Sequence, residues 1–311
     1  VAAAHEAHAQ GAQLLVTPEL ALCGYAAEDL FLRPAFLDAC DDALKAIAAE
    51  TAVLNGLTLV VGHPVRQQAG ARGRSVSVAQ LFNAATVLRH GQTLYTYAKQ
   101  HLPNYQVFDE RRYFVPGDQT VVFDLPDARG ASGASLRCGL LICEDAWFDA
   151  PAQAAKAAGA ELLVVLNASP FHAGKGSERE ATMRERVQST GLPLVYAHLV
   201  GGQDEIVFEG RSFALQATGD VAMRAESFRE NLAFVLVNKA QAAIHLEGTV
   251  VPEHGFEAEL WHALVLGVRD YVGKNGFPSA LLGLSGGIDS ALVLAIAVDA
   301  LGKDKVRTVM M

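Results

Sequence analysis

The sequence predicts an α/β protein built on a mixed sheet, with the beginning of a second α/β unit at its C-terminal end. Three observations carry this. Short apolar, β-branched runs, LLVT (14–17), LTLVVG (57–62), LRCGLLIC (136–143), ELLVVLN (161–167) and LPLVYAHL (192–199), alternate with Ala-rich amphipathic segments near 35–50, 150–159 and 178–190. Residues 81–95 read as two strands about a turn at His90 and Gly91, a hairpin that a purely parallel, doubly wound sheet does not need. After LAFVLVN (232–238) the pattern breaks into a polar, strand-poor stretch over 242–257, and a new helix follows to about 274. A boundary within 240–256 therefore divides the chain into 1–245 and 246–311. The second part holds a helix, a short strand (280–284), a Gly-rich turn, an apolar helix and the start of a strand (306–311). That is too little for an independent α/β domain, so this unit is expected to be cut short. The Ala-rich start reads as a helix with no strand before it, and the first residues of the natural chain are expected to be missing.

Composition narrows the function classes. With 311 residues, 51% of them hydrophobic, the chain can bury a large core. Lys and Arg number 25 against 34 Asp and Glu, a net charge of -9, and no basic run is present to neutralise a phosphate backbone, which argues against a nucleic-acid partner. The longest apolar stretch (291–301) contains Asp299 and is well short of the roughly 20 apolar residues a membrane span requires. The four cysteines form no C-x-x-C pair and lack the density of a secreted disulfide scaffold, so a reducing cytoplasm fits. Cys23, Cys40 and Cys138 read as buried, small apolar residues, and the histidines are too scattered to make a zinc site.

Three reactive residue types stand at the ends of apolar runs: Glu19 after LLVTP, Lys99 after TLYTYA and Cys143 after GLLI. Strand ends converge in space. Alone, each has a bland reading, an inert buried thiol or a solvated surface charge. Together they make a chemical set. A thiol with an ordinary pKa of about 8.5 needs a base near neutral pH, which Glu19 supplies. Attack on a carboxamide creates an oxyanion, which a fixed Lys99 ammonium stabilises more than it does the neutral ground state. Cys143 precedes E-D-A-W and a helical pattern, a strand-to-helix turn suited to a nucleophile.

The segments TPELALCGY (17–25), YAKQHLPNY (97–105), FDERRYFVPG (108–117) and LLICEDAW (140–147) resemble the successive motifs of the nitrilase superfamily, spanning 12–240. The resemblance implies an α-β-β-α sandwich, with Glu19 as general base, Lys99 as oxyanion stabiliser and Cys143 as nucleophile forming a thioester. It also implies that Glu110 positions the lysine and the substrate; the alternative is an ordinary charge within a polar turn. Within the superfamily, KQHLPNYQVFDERRYF (99–114) and NASPFHAGKGSERE (167–180) resemble the glutaminase branch fused to NAD synthetase. That likeness implies that Tyr105, Ser169 and Lys175 contact glutamine, although Lys175 reads equally as a surface charge in a Gly-flanked loop. Glu144 either binds the substrate ammonium or orients the local loop.

The segment 280–302 is a short strand, a Ser285-Gly286-Gly287 turn and a helix, and a helix N-terminus approached by glycines is an anion site. No Lys follows the glycines, which excludes a Walker A loop. S-G-G-I-D-S instead resembles the pyrophosphate loop of the Rossmann-like ATP pyrophosphatases. The resemblance implies an ATP site at Gly283, Leu284, Ser285, Gly286, Gly287, Ile288, Asp289 and Ser290, with Asp289 near a Mg²⁺; a tight turn is the alternative for the glycine pair alone. The order of the two modules is similar to that of the glutamine-dependent NAD synthetases. It implies glutamine, ATP and deamido-NAD as substrates, Mg²⁺ with ATP, no prosthetic group and a homo-oligomer. A free-standing carbon–nitrogen hydrolase and a catalytically silent nitrilase-fold assembly module remain as alternatives.

Overall fold

The computed structural model describes residues 1–67, 80–126, 135–240 and 243–311. Helix α1 (Ala2–Ala9) leads into β1 (Leu14–Val16), and α2 (Pro34–Thr51) separates β1 from β2 (Thr58–Gln67), β3 (Gln80–Arg89) and β4 (Gln92–Ala98). These strands form one sheet in that order, with β1 parallel to β2 and the rest antiparallel. The turn from β3 to β4 falls on His90 and Gly91 (φ 50° and 74°), as the sequence predicts; two left-handed residues match the natural twist of a hairpin.

The second sheet contains β5 (Val122–Leu125), β6 (Leu136–Ile142), β7 (Leu162–Asn167) and β8 (Leu194–His198), with α3 (Asp149–Ala157) and α4 (Lys175–Thr190) as the parallel crossovers. A separate hairpin of β9 (Val200–Gln203) and β10 (Ile206–Glu209) then precedes β11 (Phe213–Leu215) and β12 (Val221–Arg224), which extend this sheet on its β8 side. Only the strands at the sides of the sheet are antiparallel, so the predicted mixed character holds here too.

Strand alternation builds the layers. Cys138, Leu140 and Ile142 of β6 and Leu162, Val164 and Leu166 of β7 meet Val60, Ala85, Val87 and Tyr97 of the first sheet. The intervening Leu141, Leu163 and Val165 face outward onto Ala152 and Ala155 of α3 and Met183 and Val187 of α4. On the other side, Leu59, Val61 and Leu88 pack against Ala4 of α1 and Leu44, Ile47 and Ala48 of α2. The result is the expected α-β-β-α sandwich, in which each fully buried Leu or Val contributes about 1.5–3 kcal/mol.

One expectation is corrected. The stretch 242–257 is not strand-poor, because β14 (Ala243–Gly248) pairs antiparallel with β13 (Val235–Ala240). This strand runs across the 245/246 division; residues 241–242 lie outside the described residues. Leu246 is buried, and the Gln216 side chain clamps it, accepting from its N–H (3.1 Å) and donating to its carbonyl (2.6 Å).

Beyond it come α5 (Phe256–Lys274), β15 (Ala280–Leu284), α6 (Ile288–Leu301) and β16 (Val306–Met310), with β15 and β16 parallel. Helix α5 rests on the β9–β10 hairpin: Gly202 N–H donates to Asp270 (2.7 Å), Lys274 donates to Gly202 O (2.6 Å), and Leu266 and Ala263 bury beside Phe228. Trp261 Nε1 donates to Asp299 (2.9 Å), joining α5 to α6. Among the described residues, no helix is long and apolar enough to cross a membrane.

Candidate active site

The strand ends do converge. Glu19 lies just beyond β1, where Gly62 of β2 packs directly beneath it. A Cβ at position 62 would stand 2.3 Å from Pro18 O and 2.7 Å from Leu20 N, so no other residue fits without displacing Glu19. Lys99 follows β4, its N–H donating to Asn83 O and its carbonyl accepting from Gly117 N–H, both at 2.8 Å. The Lys99 ammonium sits 2.6 Å from Glu19 Oε1 and 2.7 Å from Glu110 Oε1, and all three side chains are buried. Glu110 opens a single 3₁₀ turn, Glu110–Arg112, and points inward while Arg111 and Arg112 face solvent; Tyr25 donates to it at 2.8 Å. Ala168 N–H donates to Glu19 Oε2 (2.9 Å), tying this carboxylate to the end of β7.

Cys143 is the first residue of a 3₁₀ turn, Cys143–Trp147, that directly follows β6, and its backbone is left-handed (φ 46°), a strained conformation for a non-glycine residue. Asp145 holds this turn. Its buried carboxylate accepts from Tyr97 OH (2.7 Å), His101 N (2.7 Å), Gln100 N (3.0 Å) and Ile142 N (3.2 Å). The Cys143 turn is thus fastened to the residues immediately after Lys99.

Electrostatics sorts the roles. Burial raises the Glu19 carboxyl to about 7, against the pull of Lys99 and with a further push from the Glu110 charge. Burial and then the Glu19 charge push the Cys143 thiol well above its ordinary range, with Lys99 acting in the opposite direction. Burial also works against the Lys99 charge, but Glu110 and Glu19 outweigh it and hold the ammonium well above the usual lysine range. At rest the site therefore carries a protonated thiol, a fixed cation and a carboxylate that titrates near neutrality. The sign of the pH dependence follows from the expected role of Glu19: as the base for the thiol it would accept the proton only when ionised, so activity would fall as pH drops. We expect a kcat/KM profile whose acid limb has its midpoint near pH 7, losing about tenfold per pH unit below it. A limb at the ordinary carboxylate pKa would show that Glu19 is not the base.

Of the remaining candidates, Glu144 belongs to the Cys143 turn, and Tyr105 and Lys175 contact it. Tyr105, half exposed, donates to both Glu144 oxygens (3.0 and 3.2 Å). Lys175 is the first residue of α4; its ammonium bonds Glu178 (2.9 Å) and lies 4.4 Å over the ring of Trp147, the last residue of the Cys143 turn. Ser169 is buried and accepts from Arg179 Nη1 (2.8 Å), and Arg179 is itself ion-paired with buried Glu209. Arg179, Glu209, Asn83, Tyr25, Tyr97 and Asp145 escape the sequence reading. Asn83 carried a signal, a polar amide within the apolar run of β3, whereas Asp145 sits beside another acid, Glu144, and nothing local joins Arg179 to Glu209.

The second cluster lies apart from the first in sequence. Gly283 and Leu284 end β15, Gly286 is left-handed (φ 81°), Gly287 caps α6 and Ile288 opens it. Ser285 and Ser290 hydroxyls are 3.2 Å apart, and Ser290 donates to Gly287 O (3.0 Å). The loop is largely exposed. Asp289 is its one carboxylate, and no group of three His, Cys, Asp or Glu suited to a metal occurs among the described residues. This donor set fits a Mg²⁺ held jointly with nucleotide phosphates, not by a protein cage.

The profile of the carbon–nitrogen hydrolase family matches residues 1–243. The chain belongs to the carbon–nitrogen hydrolase family. After this carbon–nitrogen hydrolase region, residues 260–311 match the NAD synthase profile. The chain is 44% identical over 302 residues to a glutamine-dependent NAD(+) synthetase of Xylella fastidiosa (strain Temecula1), covering 96% of this chain and 52% of that protein. A solved glutamine-dependent NAD+ synthetase from Acinetobacter baumannii, in complex with ADP, superposes with a TM-score of 0.87 at 38% identity, covering 100% of this chain and 55% of that one. A nitrilase-superfamily amidase from Nesterenkonia AN1 gives 0.57 at 28% identity, covering 72% of this chain and 78% of the amidase. The carbon–nitrogen hydrolase chain thus spans about half the length of the curated relatives it matches.

Proposed function

We propose that this chain hydrolyses the side-chain amide of glutamine at Cys143 and supplies the ammonia to a synthetase unit that converts deamido-NAD to NAD with ATP. The observation that carries the reading is the Lys99 ammonium held between two buried carboxylates, Glu19 and Glu110, beside a buried thiol on a strained turn. The similarity to glutamine-dependent NAD synthetases over nearly the whole chain supports the glutamine side-chain amide as the substrate.

Cys143 Sγ attacks the amide carbon as Glu19 takes the thiol proton, and Lys99 stabilises the oxyanion. The C–N bond then breaks while Glu19 returns that proton to the leaving nitrogen, giving ammonia and a thioester. Water, deprotonated by Glu19, attacks the thioester; the C–S bond breaks, the proton returns to sulfur, and glutamate departs. The rim suits a zwitterion: Glu144, held by Tyr105, faces the α-ammonium, Lys175 takes the α-carboxylate, and Ser169 orients the chain. Residues 283–290 hold the ATP phosphates at the N-terminus of α6. Asp289 would hold a Mg²⁺ there together with the phosphates, and the ion would supply charge neutralisation. Adenylylation of the nicotinate carboxyl releases pyrophosphate, and ammonia then displaces AMP. The reaction needs no prosthetic group, and the enzyme works in the cytoplasm as a homo-oligomer.

The full-length protein, given glutamine labelled with ¹⁵N in the side-chain amide together with ATP and deamido-NAD, should place the label in the carboxamide of NAD. Ammonia release from a different amide, with none from glutamine, would instead favour a free-standing hydrolase. No turnover of any amide would favour the silent assembly module.

A further inference from the structure

Asn83 on β3 gives the two buried carboxylates a common neutral donor. Its main-chain carbonyl accepts the Lys99 N–H. Its side chain, 1% exposed, turns Nδ2 toward both acids, donating to Glu19 Oε1 at 2.7 Å and reaching Glu110 Oε2 at 3.4 Å. The orientation of the amide is fixed, because an exchanged Oδ1 would face two carboxylate oxygens, acceptor against acceptor. Oδ1 itself finds no partner among the described residues. A buried carboxamide with an unmade bond is costly, so an apolar residue would serve better if this position only filled space. The groups facing Glu19 are Lys99 after β4, Glu110 on its turn, Tyr25 after β1, Cys143 after β6 and Tyr196 on β8.

We infer that Asn83 is a positioning residue for amide hydrolysis: it spaces Glu19 and Glu110 about Lys99 and keeps Glu19 ionised to take the thiol proton. The inference rests on the thiol chemistry proposed for Cys143. The lysine pulls both carboxylates toward one point, and the amide draws Glu19 Oε1 from the side of β3. Without that donor the ionised form of Glu19 loses a hydrogen bond, so it protonates at higher pH and the acid limb of activity moves up. Aspartate has the same shape but puts a third carboxylate where the donor stood, so its effect is larger.

The test uses the full-length protein, wild type beside Asn83→Ala and Asn83→Asp, with two readouts against pH: kcat and KM for glutamine, and the alkylation rate of Cys143 by iodoacetamide, followed on its own peptide by mass spectrometry. For Asn83→Ala we expect kcat about 10–100-fold lower, KM within about threefold, and both acid limbs displaced upward by roughly half to one pH unit. For Asn83→Asp we expect a greater loss and a greater displacement. Limbs at the wild-type pH in folded variants, with kcat lowered only as far as melting temperature is, overturn the inference. Should Asn83→Ala not fold, the isosteric Asn83→Asp decides by the same limb. A wild-type protein alkylated at Cys143 but inert toward glutamine overturns the substrate reading alone, and the alkylation limb then still decides on Asn83.

Discussion

Cys143→Ala is expected to abolish ammonia release from glutamine, by at least about 10⁴-fold, while the full-length enzyme continues to make NAD from added ammonium. The loss is large because the proposed reaction proceeds through a thioester on this sulfur. Cys138, on β6 ahead of the Cys143 turn, faces the apolar layer between the sheets and cannot substitute. The fold should survive, since a methyl replaces a small buried thiol and the turn is held by Asp145, not by sulfur. The ammonium arm isolates the second site, because residues 283–290 share no described hydrogen bond with the Cys143 turn. Continued use of glutamine by the variant would remove Cys143 from its role. Loss of the ammonium reaction as well would mean that the two sites cannot be separated as proposed.

The parts of the fold that could be read from sequence were those where local chemistry and tertiary packing agree. The β3–β4 hairpin has alternating apolar positions and a turn pair tolerant of positive φ, and both survive in the structure. Strand β14 shows the opposite case. Ile244 and Leu246 do alternate with His245 and Glu247, but the run is short and half exposed, and what fixes it is pairing with β13 and the Gln216 clamp, 30 residues away in sequence. The same division holds at the site. Glu19, Lys99 and Cys143 stand at strand ends, where reactive residues are conspicuous. Arg179, which holds Ser169, and Glu209, which neutralises Arg179, come from a helix and a hairpin whose meeting depends on the docked fold. Periodicity cannot report that two such charges will be buried together. Glu110 was legible as a motif residue, yet its difference from its exposed neighbours Arg111 and Arg112 is set by the inward 3₁₀ turn alone.

Lys99→Met is expected to lower kcat by about 10²–10⁴-fold and to destabilise the fold by roughly 3–5 kcal/mol near neutral pH, the cost of leaving buried carboxylates without their cation. Methionine matches the length of the lysine stem, so the effect is electrostatic and not a cavity. Its pH dependence separates this account from a packing defect. In the wild type, burial already raises Glu19 to about 7 from an ordinary 4.5, so its neutral form is favoured in the folded protein. Removing Lys99 takes away the strongest influence lowering that value, and the folded carboxyl rises further. A carboxyl raised on folding supports stability at pH below its unfolded pKa, and that support is lost as pH climbs through the folded pKa. The gap in melting temperature between wild type and Lys99→Met should therefore be narrow near pH 5 and widen toward pH 8. A gap independent of pH would show that the lysine fills space between Glu19 and Glu110 without neutralising them, and its assignment as oxyanion stabiliser would then lose its electrostatic basis.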